Sequence, residues 1–156
     1  MKPYYYSLSE YLKETYGCKM YKLSLSGGMT CPNRDGRIDT RGCIFCSAGG
    51  SGDCSGEALI GNSASLLAGG IATPQHTKIP GIAAQIEAEK ALISRKYNGG
   101  QYIAYFQSYT NTYGPEDYLR QIFTEAIRHD DARILSIATR PDTITPPIFT
   151  LLSELN

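Results

Sequence analysis

At 156 residues and 42% hydrophobic composition, the chain is long enough for one domain with its own core. Fifteen basic residues balance fifteen acidic ones, which predicts no nucleic-acid surface, and no apolar run reaches membrane-spanning length. Five cysteines, without an apolar signal-peptide core in MKPYYYSLSEYLKETYG, point to the cytoplasm and to metal ligation instead of a disulfide framework.

The first predicted element is a helix opened by Ser7-Leu8-Ser9-Glu10, which has the form of a capping box. Leu8, Tyr11, Leu12 and Tyr16 then share one face, and Gly17 can end the helix in a left-handed conformation. Cys18 follows and reads as a small buried side chain. Residues 21–25 set Tyr21, Leu23 and Leu25 against Lys22 and Ser24, the alternation of a strand. Ser26, Gly27 and Gly28 break that strand and lead into a cysteine-bearing loop at its carboxyl end, where α/β folds place their sites.

Residues 47–80 are rich in glycine, serine and alanine, show little periodicity and are too long for an ordinary strand-to-helix connection. They read as a mobile surface loop, with a lid over the site as the sharper alternative. Residues 82–96 predict a helix with Ile82, Ile86 and Ile93 on one stripe and Arg95 and Lys96 in its last turn; Asn98-Gly99-Gly100 ends it. Residues 102–107 are the second strand. Pro115 opens a helix whose Tyr118, Leu119, Ile122, Phe123, Ala126 and Ile127 form one apolar face. Residues 134–138 suit a strand buried on both faces of a parallel sheet. Thr145 can cap a last helix begun by Pro146 and Pro147, with Ile148, Leu151, Leu152 and Leu155 facing inward. The expected class is α/β, with a parallel sheet of about three strands.

The chemistry concentrates in CPNRDGRIDTRGCIFC, residues 31–46, where eleven residues separate Cys31 from Cys43 and two separate Cys43 from Cys46. Clustered thiolates repel one another and must be deprotonated to ligate, so such a trio implies a bound positive charge. Arg34, Arg37 and Arg41 in the same loop favour the thiolate form. Spacing alone leaves a disulfide, a zinc site completed by Cys54 and an iron–sulfur cluster open. At the end of the second strand, Ser108, Thr110 and Asn111 offer side-chain oxygens, either for a ligand or for ordinary turn chemistry. Arg140 in Thr139-Arg140-Pro141-Asp142 can grip a carboxylate or phosphate with two hydrogen bonds, or form a salt bridge with Asp142 inside the turn. His76 and His129 carry no catalytic signal.

The Cys43-Ile44-Phe45-Cys46 turn, with Cys31 upstream, resembles the radical S-adenosylmethionine superfamily, whose usual first gap is three residues instead of eleven. The longer gap is similar to the branch holding the Elongator catalytic subunit and the YhcC-like proteins. CPNRDG at 31–36, YFQSYTNTY at 105–113 and TRPD at 139–142 match the YhcC-like proteins, and Gly49-Gly50-Ser51-Gly52-Asp53 resembles their continuation after the last cysteine. The resemblance implies a partial TIM-type (β/α) barrel of six units. This chain would be its amino-terminal half: a leading helix at 1–20, first strand and cluster loop at 21–46, an insertion at 47–80 and remaining βα units at 81–156. The third strand would then leave an open edge.

The same resemblance implies a 4Fe-4S cluster on Cys31, Cys43 and Cys46, with Cys54 a bystander. S-adenosylmethionine would bind the iron left without a thiolate, and Phe45 would pack near the adenine. Ser108, Thr110 and Asn111 occupy the place of the superfamily's Gly-Gly-Glu stretch, and Arg140 is a further candidate contact to the cosubstrate. An external electron donor is implied. The substrate is open between tRNA and a small molecule. The rival reading is a zinc-binding interaction module without catalysis.

Overall fold

A computed structural model describes residues 4–52, 55 and 80–156. The expectations placed on residues 53, 54 and 56–79, including those for Cys54 and His76, lie outside the described residues. Helix α1 (Leu8–Tyr16) leads into β1 (Met20–Leu25); then follow α2 (Ile82–Ser94), β2 (Gln101–Phe106), α3 (Glu116–Ile127), β3 (Ala132–Ile137) and α4 (Pro146–Glu154). The strands form a mixed α/β arrangement around one parallel sheet in the order β1-β2-β3. β1 pairs with β2 in continuous register from Met20↔Gln101 to Leu25↔Phe106, whereas the β2–β3 register shifts between Tyr102 and Ile103.

Alternation along the strands divides the apolar side chains between two faces. Leu23, Leu25, Ala104 and Phe106 pack with Ile82 and Ile86 of α2, Leu119, Ile122, Phe123 and Ala126 of α3, and Ile148 and Leu151 of α4. At the centre, the Phe106 and Phe123 rings meet edge-on with centroids 5.0 Å apart. The opposite face is thinner: Met20 and Ile103 pack with Leu12 of α1, flanked by Cys18 and Ile134.

The capping box of α1 forms as its sequence predicts, with the Glu10 amide donating to Ser7 Oγ and the Ser7 amide donating to Glu10 Oε2. Gly17 ends the helix at φ +70°. Its predicted apolar face is buried only at Leu12, which packs on Met20 and Ile103, while Leu8, Tyr11 and Tyr16 stay exposed. α2 stops at Ser94, so Arg95 is its C-cap and Lys96 lies beyond it. β3 was expected to be buried on both faces, yet only Ala132 is; residues 134–137 are half-buried. The reason is its position, since among the described residues β3 has a strand on one side only.

The outer edge of β1 is covered differently. Gln85 and Glu89, one turn apart on α2, both point at its backbone: Gln85 bonds both the amide and the carbonyl of Ser26, and Glu89 Oε2 accepts from the Ser24 amide. Helix side chains thus occupy groups that another strand would otherwise pair. Among the described residues no helix is long and apolar enough to cross a membrane.

Candidate functional site

The loop after β1 is anchored at Gly27, Met29 and Thr30 before the first cysteine is reached. Gly27 O accepts from the Tyr118 hydroxyl of α3 (2.9 Å), and Met29 is buried in the main core. Thr30 O then accepts from the Thr110 amide, which ties the loop to the end of β2. Beyond Cys31 the chain turns back on itself. Cys31 O accepts from the Arg34 amide (2.8 Å), Pro32 O from the Ile38 amide (2.8 Å) and Asn33 O from the Gly42 amide (2.8 Å). These bonds return the chain to Cys43 although eleven residues intervene, and the Cys46 amide donates to Cys43 O (3.0 Å) to close the two-residue turn.

Cys31, Cys43 and Cys46 are free thiols, each partly buried. Among the described residues no three His, Cys, Asp or Glu side chains are arranged to hold a metal ion. Asn33 Nδ2 donates to Cys43 Sγ at 3.2 Å, and Cys46 Sγ lies 3.8 Å from Ser51 Oγ. The loop arginines are engaged away from the sulfurs. Arg34 donates to Cys46 O and Ser47 O and lies over the Tyr109 ring, Arg37 lies over Tyr113, and Arg41 pairs with Asp39. Hydrogen bonds from the Arg41 side chain and from the Thr40 and Arg41 amides hold the Asp39 carboxyl down at about 2.

A further cation near the cysteine loop comes from the end of β3. Arg140 binds Asp142 through two bonds, Nε to Oδ1 at 2.9 Å and a terminal nitrogen to Oδ2 at 3.0 Å. Its pKa is raised first by that bond to Asp142 and further by the negative charge of Asp142, Cys31 and Cys43. Asp142 is lowered in turn, chiefly by Arg140. The two-pronged grip expected of Arg140 is thus made inside its own turn.

Ser108, Thr110 and Asn111 sit at the end of β2 as expected, but all three are buried. Ser108 faces the backbone of Gly52 so closely that a Cβ there would lie 1.8 Å from its Oγ. Asn111 Nδ2 donates to Phe106 O and Ala138 O, both at 3.0 Å, and so bridges the ends of β2 and β3. Its Oδ1 is buried without a hydrogen-bond partner among the described residues. Thr112, Thr139 and Thr143 form a hydroxyl cluster behind Arg140. That cluster borders a cavity of about 530 Å³ lined by Arg37, Tyr113, Asp142 and Ile148 among others. Phe45 is 85% exposed, so its ring is free to meet a bound molecule.

Two residues that hold this site together escaped the sequence reading, and a third was read differently. Asn33 lay inside a matched motif without a role of its own, while Arg34, expected to favour thiolates by its charge, donates to the Cys46 and Ser47 carbonyls. Tyr109 adopts φ +60°, rare for a bulky side chain, and clamps residues 47–52: its hydroxyl donates to Ala48 O and its amide to Gly50 O. Its ring covers Gly50, where a Cβ would fall 2.3 Å from it, so only glycine fits. A left-handed tyrosine leaves no mark in sequence periodicity.

The class these observations define is a mixed α/β chain whose first parallel strand delivers a loop of three free thiols. Among curated proteins it is similar to the uncharacterized protein YtqA of Bacillus subtilis, 38% identical over 152 residues, covering 97% of this chain and 41% of YtqA. It is also similar to protein YhcC of Escherichia coli K12, at 34% over 143 residues, or 92% of this chain and 38% of YhcC. The uncharacterized protein MJ0486 of Methanocaldococcus jannaschii is 28% identical over 144 residues, 92% of this chain and 38% of that protein. The chain therefore spans about two fifths of the length of these relatives. No family model matches it, and no solved structure matches it.

Proposed function

We propose that this chain is the amino-terminal half of a radical S-adenosylmethionine enzyme of the cytoplasm, built as a partial TIM-type barrel. The support is a single loop, at the carboxyl end of a parallel strand, that carries three free thiols in the Cys31…Cys43-x-x-Cys46 spacing. The likeness to YhcC, over 92% of the chain, runs through the same stretches.

In residue type and spacing, though not in their arrangement among the described residues, Cys31, Cys43 and Cys46 match the donors of a 4Fe-4S cluster: they would supply three thiolates and leave one iron for the amino and carboxylate groups of S-adenosylmethionine. If bound and reduced by an external donor, a cluster there would supply the one-electron cleavage of the cosubstrate's sulfur–carbon bond to methionine and a 5′-deoxyadenosyl radical, which would take hydrogen from a substrate. The chain's own residues orient and enclose. Arg34 and the Pro32 and Asn33 carbonyls fold the loop back on itself between Cys31 and Cys46. Arg140, held by Asp142, would add positive charge beside Cys31 and Cys43 if these ligate as thiolates. Phe45, exposed between the paired cysteines, offers an aromatic surface to the adenine. Asn111 fixes the separation of the β2 and β3 ends on which the cosubstrate would rest. The substrate is tRNA or a small molecule.

Anaerobic reconstitution of the full chain with iron and sulfide tests this reading. A brown protein is expected, with its visible absorbance lost in Cys43→Ala. A colourless protein holding one equivalent of zinc would instead favour an interaction module without catalysis.

A further inference from the structure

The three strand-to-helix connections at the carboxyl end of the sheet together line a cavity of about 530 Å³, within the roughly 300–1,000 Å³ of small-molecule sites. Arg37 comes from the loop after β1, Thr112 and Tyr113 from the connection after β2, and Asp142 and Thr143 from the one after β3. Donors and acceptors are unevenly divided among them. The exposed Arg37 side chain lies over the Tyr113 ring, and among the described residues its guanidinium binds no carboxylate; Asp35 accepts from the Arg37 amide instead. Thr112 and Thr143 are buried and bonded to each other and to Thr139. Thr143 also donates to Arg140 O at 2.9 Å, so four contacts share three hydroxyl protons. Every proton is spent inside the cluster, which offers the cavity lone pairs alone. The carboxylates on the wall are matched already: Asp142 by two nitrogens of Arg140, and Glu116 by Arg120, which also holds Glu154. Each acid faces a guanidinium, so neither calls for an ammonium group.

We propose that this cavity binds a small hydroxylated anion, a hydroxy acid or a sugar phosphate. Its carboxylate or phosphate group meets Arg37, whose planar fork takes two oxygens and is steadied by stacking on Tyr113. Its hydroxyl groups donate to Thr112 and Thr143, whose own protons are already committed. Ile148, buried in the same wall, gives the carbon skeleton an apolar surface. None of the cysteines lines the cavity, so its occupancy is tested apart from the cluster reading above.

The test follows arginine Nε–H signals of the full chain by ¹H–¹⁵N nuclear magnetic resonance. The probes are glycerol 3-phosphate and glycerate, with ethyl phosphate and propionate as their counterparts lacking hydroxyls. At least one hydroxylated probe should shift the Arg37 signal saturably, and which one does so separates a phosphate ligand from a carboxylate one. Its hydroxyl-free counterpart should bind about tenfold more weakly, because the bonds to Thr112 and Thr143 are lost. Arg37→Gln should bind the hydroxylated probe at least about tenfold more weakly than the wild type. Arg95→Gln, at the C-cap of α2, should bind it as the wild type does. No saturable shift with either hydroxylated probe overturns the proposal. Equal affinity for a probe and its counterpart, or equal affinity of Arg37→Gln and wild type, overturns it too. If Arg37→Gln does not fold, Arg37→Lys takes its place, since it keeps the charge and loses the two-pronged bond; equal affinity there has the same meaning.

Discussion

Gln85 pairs with Ser26 as a strand would: its Oε1 accepts from the Ser26 amide at 2.8 Å and its Nε2 donates to the Ser26 carbonyl at 2.9 Å. Both residues are buried, so neither backbone group has water as a substitute. This pair fixes the point at which β1 ends and the cysteine loop begins. Gln85→Ala should therefore destabilise the protein by about 2–4 kcal/mol, from two buried backbone groups left unmatched. Urea unfolding followed by circular dichroism measures it. Gln85→Glu should cost at least as much at neutral pH, because it buries a carboxylate against the Ser26 and Pro80 carbonyls.

Glu89, one turn further along α2, is only 5% exposed, and burial raises its pKa against the smaller opposing effect of the Ser24 amide. The folded state thus binds the proton more tightly than the unfolded chain. Stability from this residue is fully present below the ordinary carboxylate value of 4.5 and is lost as pH rises through the raised folded value. Urea midpoints should fall as pH rises above about 4.5, and Glu89→Gln should flatten that slope. An equal slope in the variant would assign the pH dependence to other groups.

The clamp of Tyr109 on Gly50 predicts a strongly coupled pair. Gly50→Ala places a methyl group against the ring and forces a side chain into φ +62°, which by itself costs about 1–2 kcal/mol. Tyr109→Ala should relieve the clash but not the backbone strain. A double-mutant cycle on thermal unfolding should therefore show the second substitution costing less in the Gly50→Ala background than in the wild type.

Cys18 and Cys43 should separate cleanly. Cys18 packs beside Leu12, Met20 and Ile103 on the thin face of the sheet, away from the loop. If the proposed cluster assembles, Cys18→Ala should leave iron uptake unchanged and cost little stability, whereas Cys43→Ala should lose the visible absorbance. Iron content per chain decides between them, and equal loss in both would remove the distinction drawn between packing and ligating cysteines.

The Phe106–Phe123 contact offers a check on the fold. Both rings are fully buried, so Phe123→Ala should cost about 3–5 kcal/mol. Exposed Phe149, at 66% accessibility, should tolerate the same change in this chain with little effect.

Local chemistry made much of this protein readable in advance. Ser7 and Glu10 cap α1 because a hydroxyl and a carboxylate three residues apart meet two free amides, a purely local event. The strands of alternating or dense apolar residues and the stripe on α3 follow from periods of two and 3.6 meeting one core. The cysteine spacing likewise named its own loop. Tertiary structure decided the rest, because those choices depend on residues distant in the chain. Gln85 and Glu89 close the edge of β1 across 59 and 65 positions, Asn111 bridges two strand ends, and Arg140 at the end of β3 is paired with Asp142. A polar side chain looks the same in sequence whether it faces water or a backbone group folded against it. Only the packed chain shows which partner it has.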